Sequence, residues 1–175
     1  MLLEKIESLL NDQVQHEFEA GNWYLAMSSW AEVNGFHGSA SFFLEQSKEE
    51  QFHAMKIFHY INDRDGHAVA PAIAKPESEF ESIRHLFERG LELEQENTRK
   101  IDNLVEAAKE AKDNATHQFL QWYVDEQVEE EDLFRTILDK LNILGDKGPG
   151  LYMLDQELGQ RQADLPENGN GEETE

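Results

Sequence analysis

The stretch SASFFLEQSKEEQFHAMKIFHYINDRD, Ser39 to Asp65, contains neither proline nor glycine and sets Phe43, Gln46, Glu50, His53, Ile57 and Tyr60 at alternating steps of three and four residues. That period marks one face of an α-helix, and a mostly apolar face of this kind turns toward a core. Glu50 and His53 stand in the middle of it, where an ionised carboxylate without a partner costs several kcal/mol. The helix is therefore long, amphipathic and interrupted at its centre by metal-ligating side-chain types.

Working outward, three more stretches lack helix breakers almost entirely: Leu2 to Val33, Glu77 to Ala111 and Ala115 to Ile143. The first carries the stripe Leu3, Ile6, Leu10, Gln13, Glu17, Ala20, Tyr24, Met27 and Ala31. The third helix carries Phe80, Ile83, Phe87, Gly90, Glu94, Asn97, Ile101, Leu104 and Ala108, and the fourth Leu120, Tyr123, Gln127, Glu130, Phe134, Ile137 and Leu141. Each helix thus brings a glutamate onto its inward face near its own midpoint. In an antiparallel bundle midpoints meet, so Glu17, Glu50, Glu94 and Glu130 converge in one layer with His53, and no Lys or Arg lies on a stripe at that level. Shared protons or bound cations must compensate such a layer. One glutamate alone would be read as hydrogen-bonded by a neighbour, and His53 alone as a satisfied core histidine; the coincidence of face and depth on four helices points to a metal centre. His16, His37, His59, His67, His85 and His117 fall off the layer and are expected in surface or loop roles.

The breaks define the topology. Asn34-Gly35-Phe36-His37-Gly38 and the Asp113-Asn114 turn are short, which makes the flanking helices antiparallel neighbours. Gly66 to Pro76 is long enough, at ~35–40 Å extended, to traverse the bundle, which makes helices two and three parallel. An all-α four-helix bundle with one long crossover is the expected fold. Beyond Gly145, Gly148, Pro149 and Gly150 a short helix, Leu151 to Leu158, is expected to pack its leucines on the bundle or, preferably, on another subunit. The domain is taken to span residues 1–160, and the segment 161–175 reads as an acidic, disordered tail.

Composition narrows the chemistry. The 175 residues include no cysteine, which removes disulfides, thiolate metal sites and a Cys nucleophile. Fifteen Lys and Arg against thirty-seven Asp and Glu leave a net charge of -22, the wrong sign for nucleic acid or anionic membrane. No apolar run reaches membrane-spanning length and no signal-peptide core forms after Met1, so a soluble, cytoplasmic protein is expected. Oxygen-rich ligation with one imidazole suits iron or manganese, with zinc also able to bind, and four carboxylates favour ferric iron. Glu50 is placed to bridge two ions, with Glu17 and His53 on one side and Glu94 and Glu130 on the other.

The pattern resembles the ferritins, and most closely the non-haem bacterial ferritins, from the first helix to about Gly159. The family's first-helix Glu corresponds to Glu17, its Glu-x-x-His to Glu50-Gln51-Phe52-His53, its third-helix Glu to Glu94, and its fourth-helix Gln and Glu to Gln127 and Glu130. The resemblance implies the ferritin-like fold with its short fifth helix. It implies iron storage in a cage of twenty-four identical subunits, with ferrous iron oxidised by dioxygen or hydrogen peroxide at a two-iron ferroxidase centre in each. It also implies a third iron position at Glu49, Glu126 and Glu129 with Glu130, and a tyrosine beside the centre, Tyr24; Trp122 is a weaker candidate for the same role. Haem is not expected, because Gln51 replaces the haem-ligating Met of bacterioferritins and Gln127-x-x-Glu130 replaces their second Glu-x-x-His. Two other readings are weighed beside storage: a di-iron oxidase of an organic substrate, disfavoured by the bulky Phe and Tyr stripe residues, and a metal-free acidic bundle.

Overall fold

A computed structural model of the chain describes residues 2–163. Five helices follow one another: α1 (Glu4–Val33), α2 (His37–Asp63), α3 (Ile83–Glu110), α4 (Asn114–Leu144) and α5 (Pro149–Leu158). The first four are the expected long helices. Two apolar clusters give their directions. One joins Ile6 and Leu10 of α1 to Ile57 and Ile61 of α2, Ile101 and Leu104 of α3, and Leu120 and Tyr123 of α4. The other joins Tyr24 and Met27 to Phe42 and Phe43, Leu86 and Phe87, and Phe134 and Ile137. The chain therefore runs from the first cluster to the second in α1 and α4, and back in α2 and α3. This is the one-crossover bundle, with α2 parallel to α3.

The crossover differs from expectation in extent: it runs from Arg64 to Ser82, and α3 begins at Ile83 rather than Glu77. Ser82 ends it, because its hydroxyl accepts from His85 N at 3.2 Å and so caps one of the free amides of the first turn. Ahead of it Phe80 is buried in edge-on contact with Trp23 and Trp30, which holds the preceding residues off the helix axis. The connection lies along α1, tied by Asn11 to the backbone of His67 and Val69 and by Asn22 to Ala74.

α5 corrects a second expectation. Its Leu151, Leu154 and Leu158 pack into the second apolar cluster of their own chain rather than awaiting another subunit. Asp155 fixes the orientation: buried, it accepts from Gly38 N at 3.0 Å and from Ser39 N and Oγ at 2.8 Å, capping α2, which has no cap of its own. Of the segment expected as a tail, 164–175 lies outside the described residues, whereas Arg161 and Ala163 contact α2 at Glu49 and Glu45. At the other end Leu2, not Leu3, is buried, since the chain is still extended at Leu3 and the helical period does not yet apply. No helix among the described residues is long and apolar enough to cross a membrane.

Close approach of α3 to α4 depends on Gly90, where an added Cβ would lie 2.2 Å from Phe134 Cε1. Phe134 is fully buried and cannot yield freely. Gly90→Ala is expected to lower stability by about 1–3 kcal/mol through overpacking, read as a lower denaturation midpoint at unchanged slope.

Candidate metal centre

Between the two apolar clusters lies a polar layer, and every inward glutamate expected from the sequence is in it. Glu17, Glu50, Glu94 and Glu130 are buried, as are His53 and Gln127. Ligand atoms of Glu17, Glu50 and His53 lie within 4.8 Å of one another, close enough for one ion to take all three. Helix geometry explains this: Glu50 and His53 are one turn apart on α2, and Gly21 on α1 allows α2 to approach, its position bounded by Glu50 Cβ and Ser47 O at 3.2 Å.

Glu94 and Glu130 face this trio from α3 and α4, and each is positioned by hydrogen bonds. Tyr24 donates to Glu94 Oε1, Gln127 Nε2 donates to Glu94 Oε2 at 3.2 Å, and Gln46 Nε2 donates to Glu130 Oε2 at 2.8 Å. Tyr24 is itself clamped between the rings of Phe43 and Phe134. Glu17 Oε1 accepts from Gln13 Nε2 at 2.7 Å, and Asn97 links Gln13 to Gln127 across the layer. Gln13, Gln46 and Asn97 stood on the sequence stripes but received no role there; they are the amides that orient the carboxylates.

Glu50 is the exception. Neither of its buried carboxylate oxygens accepts from an N–H or hydroxyl donor; its side-chain partner is the Glu17 carboxyl, with which it can share a proton. His53 Nδ1 is unpartnered, and at 3.6 Å from Glu50 Oε2 the two do not hydrogen-bond. Burial lowers the His53 pKa, so the imidazole is neutral and able to ligate. No Lys or Arg forms an ion pair with Glu17, Glu50, Glu94 or Glu130 among the described residues. Burial pushes the Glu50 carboxyl well above the usual range, with the charges of Glu94 and Glu17 adding to it. It pushes Glu130 up strongly too, reinforced by Glu94 and opposed by Arg161. Glu94 rises to about 7, its burial partly offset by the hydrogen bonds from Tyr24 and Gln127. Such a layer holds protons when metal-free and exchanges them for cations.

A cavity of about 490 Å³ opens beside the layer, lined by Glu49, His53, Glu126, Glu129, Glu130 and Arg161 among others. The three acids expected at a third position thus share a cavity with His53 and Glu130. Arg161 was not anticipated. Trp122 packs edge-on against the His53 ring at 5.2 Å, and Lys56 Nζ sits 3.2 Å from the Trp122 ring centroid. His16 is a correction: it is buried in α1 with Nε2 unpartnered and its pKa lowered by burial, not a surface residue. The remaining five off-layer histidines are exposed or half-buried.

The ferritin-like domain model matches residues 7–144. The chain is 46% identical over 167 residues to the bacterial non-heme ferritin of Staphylococcus saprophyticus, covering 95% of this chain and all of that one. It is 44% identical over 164 residues to the Staphylococcus aureus bacterial non-heme ferritin, covering 94% and 99%. An open pore ferritin from the hyperthermophilic archaeon Archaeoglobus fulgidus superposes with a TM-score of 0.91 at 40% identity, covering 93% of this chain and all of the other. A humanized archaeal ferritin gives 0.92 at the same identity over 94%. The chain belongs to the ferritin family.

Proposed function

We propose that this protein stores iron: ferrous ions enter the polar layer of each subunit, are oxidised there in pairs, and pass as ferric iron into a mineral held inside a multi-subunit cage. The observation that carries this reading is Glu50, a buried carboxylate that accepts from no N–H or hydroxyl donor and meets the Glu17 carboxyl, set among three other buried carboxylates and a neutral histidine. A side chain so placed is poised to bridge two cations. Glu17 and His53 would complete one ion's ligands, and Glu94 and Glu130 the other's. Two ions held together supply two electrons to one oxidant molecule, and four carboxylates favour the ferric product. Tyr24, kept protonated by burial and by Glu94, holds that carboxylate in place and stands where it can pass an electron or a proton.

Several details belong to the same proposal and come from the family resemblance: dioxygen or hydrogen peroxide as oxidant, twenty-four subunits, a cytoplasmic setting, and a third iron position at Glu49, Glu126, Glu129 and Glu130. The metal-free acidic bundle does not account for four buried carboxylates that no Lys or Arg pairs with among the described residues. An oxidase of organic substrates would need an open apolar pocket at the metals, whereas the cavity beside them is walled chiefly by acids.

Aerobic loading with excess ferrous iron, followed by size-exclusion chromatography with iron and protein detected together, tests the storage reading. Hundreds of irons per particle, co-eluting with protein at several hundred kilodaltons, are expected. A small particle keeping about two irons per chain, as a two-metal site without a mineral would, contradicts storage while leaving the centre standing.

A further inference from the structure

Arg161 places a positive charge in the acidic cavity. It follows α5, yet its guanidinium reaches back to α2, where Nη2 donates to Glu49 Oε2 at 2.8 Å and Cζ lies 5.1 Å from the Phe42 ring centroid. Glu49 is almost fully buried, whereas Arg161 keeps about a fifth of its side-chain surface exposed. One guanidinium nitrogen, Nη1, is buried without an acceptor. Two residues on, Ala163 N donates to Glu45 Oε2 at 3.1 Å, a second tie of the segment to α2. Glu126, Glu129, Glu130 and His53 line the same cavity.

We propose that Arg161 is a displaceable internal counter-cation: it neutralises Glu49 in the metal-free protein and is pushed aside when a metal ion takes the third position, thereby setting that position's affinity. This rests on the third-position reading proposed above. Glu49 Oε2 is already at hydrogen-bond distance from a guanidinium, and a divalent ion bound to the same oxygen would sit a few ångströms from a like charge in a partly desolvated pocket. That repulsion opposes the ion for as long as the guanidinium stays. The arginine is the movable partner, because it lies on a chain segment beyond the last helix, where local opening is least costly. A weak, exchangeable third position is what passage of iron out of the centre requires, and Arg161 keeps it weak.

Anaerobic equilibrium titration of the assembled, full-length protein with ferrous iron tests this on the wild type, Arg161→Gln, Arg161→Lys and Glu129→Gln, each checked for wild-type helix content. The wild type is expected to bind a third ion per chain more weakly than the first two, and Glu129→Gln to lose it. Arg161→Gln should tighten the third ion about tenfold or more, the loss of one nearby like charge, and change the first two much less, through the Glu130 that both positions share. Arg161→Lys should fall between, since it keeps the charge without the planar fork. If the third ion is present and Glu129-dependent but binds Arg161→Gln no more tightly than wild type, Arg161 is a tether and the proposal fails. If no third ion binds even in Arg161→Gln, the third-position reading fails and takes the proposal with it.

Discussion

Glu50→Ala and His53→Ala should each slow ferrous oxidation by at least ~100-fold while the protein still assembles, because each removes a proposed metal ligand from a site whose proposed chemistry depends on holding two ions together. Assembly should survive because neither Glu50 oxygen accepts from an N–H or hydroxyl donor and His53 Nδ1 is unpartnered. A bond that joins α2 to α4 beside the site runs from Tyr123 Oη to the backbone carbonyl of His53, at 2.8 Å, and outlasts the substitution. Glu50→Ala should be the more severe, since a bridging ligand serves both ions. Stopped-flow absorbance at the ferric band, two ferrous ions per subunit in oxygenated buffer, gives the rates. A Glu50→Ala rate equal to wild type would show that oxidation occurs elsewhere.

The metal-free protein should lose stability as pH rises through neutrality, and bound divalent metal should restore it. The sign follows from Glu94. Its folded pKa of about 7 lies above its ordinary value of 4.5, so the folded protein keeps a proton that the unfolded chain releases. That stabilisation is complete below about 4.5 and is lost as pH climbs to about 7, a loss of about 3 kcal/mol from this group. Glu50 and Glu130, also raised by burial, act in the same direction. Cations replace these protons, so saturating manganese or anaerobic ferrous iron should raise the melting temperature more at pH 8 than at pH 5, with protons released on binding. Glu94→Gln should flatten the metal-free profile between pH 5 and pH 7, as expected when one carboxyl near pKa 7 is removed. A wild-type profile that rises over this interval, or a Glu94→Gln profile of unchanged slope, would remove Glu94 as the cause.

Most of the layer was legible in the sequence because helix geometry is rigid. A residue's face follows from its period and its depth from its distance to the helix midpoint, so Glu17, Glu50, Glu94 and Glu130 could be brought together without coordinates. The α4 stripe is buried at every expected position. What was not legible depends on chain that has no period. The start of α3 is set by the Ser82 cap and the Phe80 anchor, and the exposure of Leu3 by an extended residue ahead of the first turn. α5 folds onto its own chain because Asp155 finds the bare amides of α2, a contact between residues far apart in sequence. Arg161 escaped notice for the same reason. The partners of Gln13, Gln46 and Asn97 depend on how each helix is rotated against the next, which a stripe alone does not specify.

Crystals of the protein loaded anaerobically with ferrous iron, measured on either side of the iron absorption edge, test the central claim most directly. Two anomalous peaks ~3.5–4 Å apart are expected, the spacing of a two-metal site. Both should lie against Glu50, one also against Glu17 and His53, the other against Glu94 and Glu130. An ordered layer with no anomalous density between these side chains, while iron is bound elsewhere on the protein, would contradict it.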